Sequence, residues 1–380
     1  MKIALLSYST KPRGGVVHTL ALAEALAAAG QDVTVWTLGR GGDSGFFREV
    51  DPAVSTRIVP FLDGPEGETV GERILRSIAT LREAFDPTPY DIVHAQDCIS
   101  ANAAGRCVRT VHHLDQFTTP ELAACHERAL VEPYAHLCVS QSVAADLAVG
   151  WGIKAEVIPN GVAYERFATT AAAARVRWRN RLGRYVLSVG GIEPRKGSLD
   201  LLEAYALLRS DHPDVRLVIA GGETLFDYRD YRARWETRAA ELGVDPIVLG
   251  QVAEEELPSL VAAADAFAFP SVKEGFGLAA MEALAAGVPL IVRDLPVLRE
   301  VFEGAARFGA TQQDLADELA QALTRQDPAR QAVGRELAAR HTWDTAAQRH
   351  LAFYRSLNWA LPRGGQPQGG AVSRPGAGSP

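Results

Sequence analysis

Short apolar runs alternate with longer helix-forming stretches along most of the chain. Ile3–Tyr8 is the first such run. Ser9-Thr10-Lys11-Pro12-Arg13-Gly14-Gly15 follows it, then a helical stretch, Val16–Ala29, that Gly30 closes. Val33–Trp36 reads as the next strand. Strand, loop, helix and strand in that order predict a parallel α/β unit of nucleotide-binding type. Gly39–Gly45 and Asp63–Gly71 read as glycine-rich loops and Gly71–Phe85 as a helix. Asp91–Asp97 reads as a polar strand end, with further strands at Val108–Val111 and Leu137–Ser140 and a helix at Ser142–Trp151. The same alternation restarts at Tyr185–Val189 with a helix at Ser198–Arg209, then Val215–Ala220 and a helix at Tyr228–Leu242. The strand Ile247–Gly250 and the helix Glu254–Ala263 lead to Ala266–Phe269, with Leu290–Val292 as the last clear core strand. Gln312–Arg340 is helical with a break at Asp327-Pro328, and a final helix runs from His341-Thr342-Trp343 to about Leu357. The Gly-, Pro-, Ser- and Gln-rich tail from Pro362 to Pro380 is expected to be disordered.

The stretch Phe269–Pro289 organises the rest. A buried strand ends at Pro270, and Leu278–Ala286 is helix-forming, stopped by Gly287 with Pro289 just beyond. Gly275 and Gly277 bracket Phe276 between them. Glycines there let a ligand approach the backbone, and the first free N–H groups of the helix face that space with partial positive charge. Glu282 stands at the edge of the helix's apolar side, where a carboxylate needs partners. A vicinal diol such as a ribose supplies two hydroxyl donors, and Glu274 in the loop is placed to accept from a hexose. Two isolated glutamates would read more simply as a solvated loop residue and a helix residue bound to a structural arginine. The strand–glycine–helix setting favours a sugar-nucleotide site.

Three other strand ends carry chemistry. Gly14-Gly15 is not the G-x-G-x-x-G fingerprint, and no acidic residue ends the second strand, which weakens a dehydrogenase reading. His112-His113 directly follows Val108–Val111, at the end of a parallel strand where ligands bind in doubly wound folds. Arg195 and Lys196 lie together in a strand-to-helix turn, and adjacent cations there suit a diphosphate.

Composition narrows the class. The chain has 380 residues and a net charge of −7, which argues against a general nucleic-acid binder. The four cysteines show no C-x-x-C spacing, so neither a zinc site nor a disulfide framework is indicated. The opening Met1-Lys2-Ile3-Ala4-Leu5-Leu6 is too short an apolar run for a leader, and no stretch is long enough to span a bilayer. A soluble, cytoplasmic protein is expected, with peripheral membrane contact open. The arginines around Trp178, from Arg175 to Arg184, read as a solvated helix in an acidic protein rather than a lipid-binding patch.

The segment P-S-V-K-E-G-F-G-L-A-A-M-E-A-L-A-A-G-V-P-L-I resembles the signature of the retaining glycosyltransferases of family 4, a group of GT-B architecture. That resemblance extends nearly the whole chain, to about Leu357. It implies two Rossmann-like domains facing across a cleft, 1–160 on the acceptor side and 161–340 holding the donor. A helix at 341–358 returns to the first domain, and 359–380 forms the tail. I-P-N-G-V at 158–162 resembles the family's hinge. The resemblance further implies transfer of a hexose from a nucleoside-diphosphate sugar to a hydroxyl of an unknown acceptor, with neither metal nor cofactor. Glu274 would bind the transferred sugar, Gly275, Phe276, Gly277 and Leu278 the sugar and diphosphate, and Glu282 the ribose. Gly14 and Gly15 would lie against the diphosphate, Val252 under the nucleobase, and Lys196 against the leaving group. Arg195 would replace the arginine that the family carries where this chain has Gly191. His112 matches a sugar-orienting histidine. His113 departs from the usual aspartate or glycine, so which of the two faces the sugar stays open. Gln96 stands where many relatives have a second histidine, and no role carries over to it. Two rivals remain: a GT-B sugar-nucleotide epimerase, and a non-catalytic sugar-nucleotide sensor.

Overall fold

The computed structural model describes residues 1–114, 117, 119–222 and 228–360, the last three by backbone alone. The expected tail therefore lies outside the described residues, apart from the last turn of the final helix, which runs on to Ala360.

Two wholly parallel sheets carry the fold. The first contains β1 (Lys2–Leu6), β2 (Asp32–Arg40), β3 (Val54–Phe61), β4 (Ile92–Ala95), β5 (Val108–Val111), β6 (Ala135–Cys138) and β7 (Glu156–Val157). Its spatial order is β3-β2-β1-β4-β5-β6-β7. The second contains β8 (Arg184–Val189), β9 (Val215–Ala220), β10 (Ile247–Gly250), β11 (Ala266–Phe269), β12 (Leu290–Arg293) and β13 (Arg307–Gly309), in the order β10-β9-β8-β11-β12-β13. The strand order reverses between β1 and β4 and again between β8 and β11. Such reversals splay the following loops apart and open a crevice at the carboxyl ends of the strands. Gly14, Gly15, Arg195, Lys196 and the Glu274–Leu278 segment follow the strands at these two places, while His112 follows the neighbouring β5 and Val252 follows β10 at the sheet edge.

Several elements depart from the sequence expectation. β2 continues through Gly39 to Arg40, where a loop was expected, and the next segment folds back onto it. A Cβ on Gly39 would lie 2.2 Å from the Asp43 carbonyl oxygen, so the glycine is what permits that return. β3 was missed because V-S-T-R-I-V-P-F mixes polar and apolar residues. It is an edge strand, where one side needs no partner and Pro60 is tolerated. β13, at the opposite edge of the second sheet and only three residues long, was not expected; it lies beyond the last core strand. Helices Cys98–Ala104 and Pro120–Val131 were also unread. The arginine-rich helix, Ala172–Leu182, is packed rather than wholly solvated: Trp178 is buried and donates to Ser259 Oγ at 3.0 Å, while Arg179 pairs with Asp265.

The final helix, Trp343–Ala360, crosses back onto the first sheet's side. Its Ala347, Leu351 and Tyr354 join Leu20, Leu22 and Leu26 of the first helix, Gly14–Ala28, in one apolar core. Several contacts tie the halves together, among them the following. Val162 donates its N–H to the His341 carbonyl at 2.7 Å, and Gly161 lies so close that a Cβ would be 2.4 Å from Trp343 N. Glu300, from the helix Pro296–Phe302, accepts from Gln141 N at 2.7 Å, Ser142 N at 2.8 Å and Ser142 Oγ at 2.8 Å, where the helix Gln141–Trp151 begins. Among the described residues, no helix is long and apolar enough to cross a membrane.

Candidate active site

The turn after β8 is built to press against the end of β11. Gly197 has φ +64°, and a Cβ there would lie 2.3 Å from the Pro270 carbonyl oxygen, so only glycine fits. Val272 N–H donates to the Arg195 carbonyl at 2.9 Å, locking the two loops together. Arg195 and Lys196 are thereby carried onto Glu274. Lys196 Nζ donates to Glu274 Oε1 at 2.5 Å, and an Arg195 guanidinium nitrogen reaches the same oxygen at 3.0 Å. A second guanidinium nitrogen reaches Glu193 at 3.3 Å. Lys196 also lies 5.0 Å from the centre of the Phe269 ring. Burial alone would raise the Glu274 carboxyl, but the Lys196 and Arg195 cations overrule it and hold it at about 2. Burial draws the Lys196 ammonium below its ordinary value, opposed by Glu274. The ion pair stays charged, because each member is the main compensation for the other. Sequence reading put the two cations on the diphosphate and Glu274 on the sugar, whereas the structure brings all three into one cluster.

Gly275 is one point where the two halves come into close contact. A Cβ on it would stand 1.6 Å from the His112 carbonyl oxygen. Phe276 is buried in the second core, and Gly277, with φ +99°, precedes the helix Leu278–Ala285 without a side-chain cap. The first N–H groups of that helix, including that of Leu278, thus lack a side-chain partner. Glu282 is half-buried one turn on. Burial, with Glu254 close by, pushes its carboxyl up to about 8, and Arg166 pulls the other way. Arg166 is engaged elsewhere, since it holds both the side chain and the carbonyl of Glu254. Val252 packs partly buried against the second core.

Across the cleft, Gly14 and Gly15 open the first helix, again without a side-chain cap. A Cβ on Gly15 would meet His112 Cδ2 at 4.0 Å, so this turn lies beside the imidazole. His112 Nε2 is 3.3 Å from Gln96 Oε1, and its ring packs edge-on against His18 with centroids 4.7 Å apart. Burial, with Arg109, His113, His94 and His350 nearby, keeps the His112 ring well below its ordinary value and neutral. His113 lies close enough to help lower Glu274 as well as to oppose charge on His112. Both histidines therefore belong to the cleft. His18 Nδ1 lies 2.9 Å from Asn160 Oδ1, and His94 lies between Tyr354 hydroxyl at 2.6 Å and Thr110 Oγ1 at 2.7 Å. His18, Glu193 and Arg166 were not singled out from sequence, Gln96 was named without a role, and Asn160 only as part of the hinge. Only His18 carried a signal, one turn after Gly14 on the same helix face. Among the described residues, no group of three or more His, Cys, Asp or Glu is arranged to hold a metal ion.

Two parallel α/β halves meeting at their carboxyl edges over cations, a carboxylate and uncapped helix starts define a GT-B glycosyltransferase. Residues 12–166 match the family model described as Glycosyltransferase Family 4, and 176–339 match Glycosyl transferases group 1. A D-inositol 3-phosphate glycosyltransferase from Mycolicibacterium smegmatis is 30% identical, over 93% of this chain and 90% of its own. The chain belongs to the family 4, group 1 glycosyltransferases. Among solved folds, sucrose-phosphate synthase from Thermosynechococcus elongatus superposes with a TM-score of 0.77 at 22% identity, covering 95% of this chain and 100% of that one. Anabaena HepE in complex with UDP and glucose gives 0.73 at 20% identity, covering 94% and 100%.

Proposed function

We propose that this glycosyltransferase moves a hexose from a nucleoside-diphosphate sugar to an acceptor hydroxyl, retaining the anomeric configuration. The observation that carries this reading is the convergence of Lys196 and Arg195 on Glu274 beside the uncapped helix start after Gly277. Cations and free N–H groups take the diphosphate, while the ionised carboxylate accepts from hexose hydroxyls. The UDP and glucose of the HepE complex, on the same fold, support a nucleotide-sugar donor. Residues 1–160 form the acceptor side and 161–340 the donor side. The name of the M. smegmatis relative favours a cyclitol phosphate as the first acceptor to test.

Two carboxylates near the cleft already carry structural contacts. Glu274 holds two cations, and Asp97 caps the helix Cys98–Ala104 by accepting from Ser100 N at 2.8 Å. A same-face displacement follows. The acceptor oxygen bonds to the anomeric carbon as the carbon–phosphate-oxygen bond breaks, and the acceptor proton passes to the departing diphosphate. Lys196, Arg195 and the helix N-terminus stabilise that developing charge, and domain contact excludes water. The mechanism needs positioning rather than a covalent intermediate.

Calorimetry and thermal shift with a panel of nucleoside diphosphates and their sugars test the reading, with and without magnesium. Tight binding by one compound, and its slow hydrolysis, is the expected result; well-folded protein that binds none overturns it.

Glu282 makes a pH-dependent prediction. Its folded value, about 8, lies above the ordinary 4.5, so the folded chain holds an extra proton between them and its stability falls as pH rises through that window. Ribose hydroxyls donate to the ionised form and draw the value down. Nucleotide binding near pH 7 should therefore release a proton and tighten towards pH 8. Calorimetry in buffers of different ionisation enthalpy reads this directly, and heats independent of buffer would refute it. Glu282→Ala should weaken nucleoside diphosphate binding and abolish the proton release.

His112→Ala is expected to lose transfer by about a hundredfold, in the range for a lost positioning contact, while nucleoside diphosphate binding persists. The same loss in His113→Ala, with His112→Ala active, would give the role to the neighbour.

A further inference from the structure

Gln96 ends β4 at the reversal in strand order, and the transfer chemistry above gives it no part. Its residue is 1% exposed, as deep as the core. Its side-chain oxygen faces His112 Nε2 at 3.3 Å, and its amide nitrogen has no hydrogen-bond partner among the described residues. Buried amides are nearly always satisfied on both ends, so a half-satisfied one beside a cleft points to a ligand atom.

We propose that Gln96 is a positioning residue for the transfer reaction: it holds His112 in the Nε2–H tautomer and keeps its own amide N–H for a substrate oxygen. This rests on the transferase reading. The chemistry is restrictive. A carbonyl oxygen only accepts, so Nε2 carries the hydrogen and Nδ1 keeps its lone pair as an acceptor for a substrate hydroxyl. A glutamine does not titrate, so this choice of tautomer holds across the working pH range. A histidine at the same place would exchange donor and acceptor roles with its neighbour as pH changed.

The surroundings agree. His18 approaches from the first helix, His94 from β4, Arg109 from β5, His113 from the following loop and His350 from the last helix. Arg109, His113, His94 and His350 each oppose a positive charge on His112, and the His18 ring packs edge-on against it. The ring is thus left neutral, which is the state in which tautomer matters. Gly15 closes the side towards the diphosphate turn, and the His112 carbonyl meets Gly275, so the ring's placement is fixed from both halves.

The test uses the full-length protein with Gln96→Ala and Gln96→Glu. In free wild-type protein, the nitrogen-15 shifts of His112 are expected to show the Nε2–H tautomer, and Gln96→Ala should give a mixture. A predominantly Nδ1–H ring in wild type overturns the proposal whether or not the transferase reading survives. Gln96→Ala should lower transfer kcat by about ten- to hundredfold, one or two neutral hydrogen bonds' worth, with melting temperature and nucleoside diphosphate affinity unchanged. Gln96→Glu should restore the tautomer but raise the His112 pKa, adding a new ionisation limb to the pH profile of kcat/KM. Wild-type kcat in Gln96→Ala, or a profile unaltered in Gln96→Glu, overturns the proposal, as does a loss of kcat matched by a fall in melting temperature. Failure of the wild type to bind any nucleoside diphosphate counts against the transferase reading alone, since the tautomer is measured without ligand.

Discussion

Lys196→Ala is expected to lower the turnover of transfer by about a hundredfold or more, the range seen when one preorganised donor to a developing oxyanion is removed. The ammonium is rigidly placed: one carboxylate oxygen at 2.5 Å, the Phe269 ring beneath it, and a turn pinned by Gly197. Charge builds up on the departing diphosphate only as the glycosidic bond breaks, so kcat should fall more than the donor KM rises. Glu274 keeps Arg195 at 3.0 Å in the variant, so its carboxylate is not left buried without a counter-ion. Steady-state kinetics with a saturating acceptor separate the two parameters. Turnover at the wild-type level would end the diphosphate role of Lys196.

Gly275→Ala should be comparably damaging for a different reason. No real Cβ tolerates 1.6 Å from a carbonyl oxygen, and that oxygen belongs to His112 in the other half. Relief requires the halves to separate or the loop to withdraw by an ångström or more. A displacement of about 1 Å at reacting groups is enough to cost about a hundredfold in rate. On the proposed reading the second half holds most of the nucleoside diphosphate, so binding by calorimetry should survive. Preserved binding with lost transfer is the expected pattern; wild-type transfer would mean that the contact is not present during turnover.

What could be read from sequence is what the backbone does locally. Gly277 before a helix, Gly197 after a cationic turn and the apolar runs of β8 and β11 are local signals, and the family signature is a string of them. The pairing of Lys196 with Glu274 spans 78 positions and exists because β8 and β11 are neighbours in the sheet, which no local pattern encodes. Gln96 with His112 depends in the same way on β4 lying beside β5. His18 with Asn160 joins the first helix to the chain leaving the first sheet, 142 positions on. β3 and β13 were lost for the reason that edge strands generally are: they need fewer apolar residues. The helix-dipole and glycine chemistry was legible, then, and the network of side chains around it was not.

The chain passes between the halves twice, and the two passages are stitched side by side where Val162 meets His341 and Thr342. Two covalent links held at one point leave little room for sliding or shear. They leave rotation about that point. Any opening that admits donor and acceptor is then a swing of nearly fixed axis, and Glu300 must let go of Gln141 and Ser142 as it begins. With so few ways to be open, a protein swinging this way would surrender little orientational entropy on closing, and each closure would bring the same atoms to the same places.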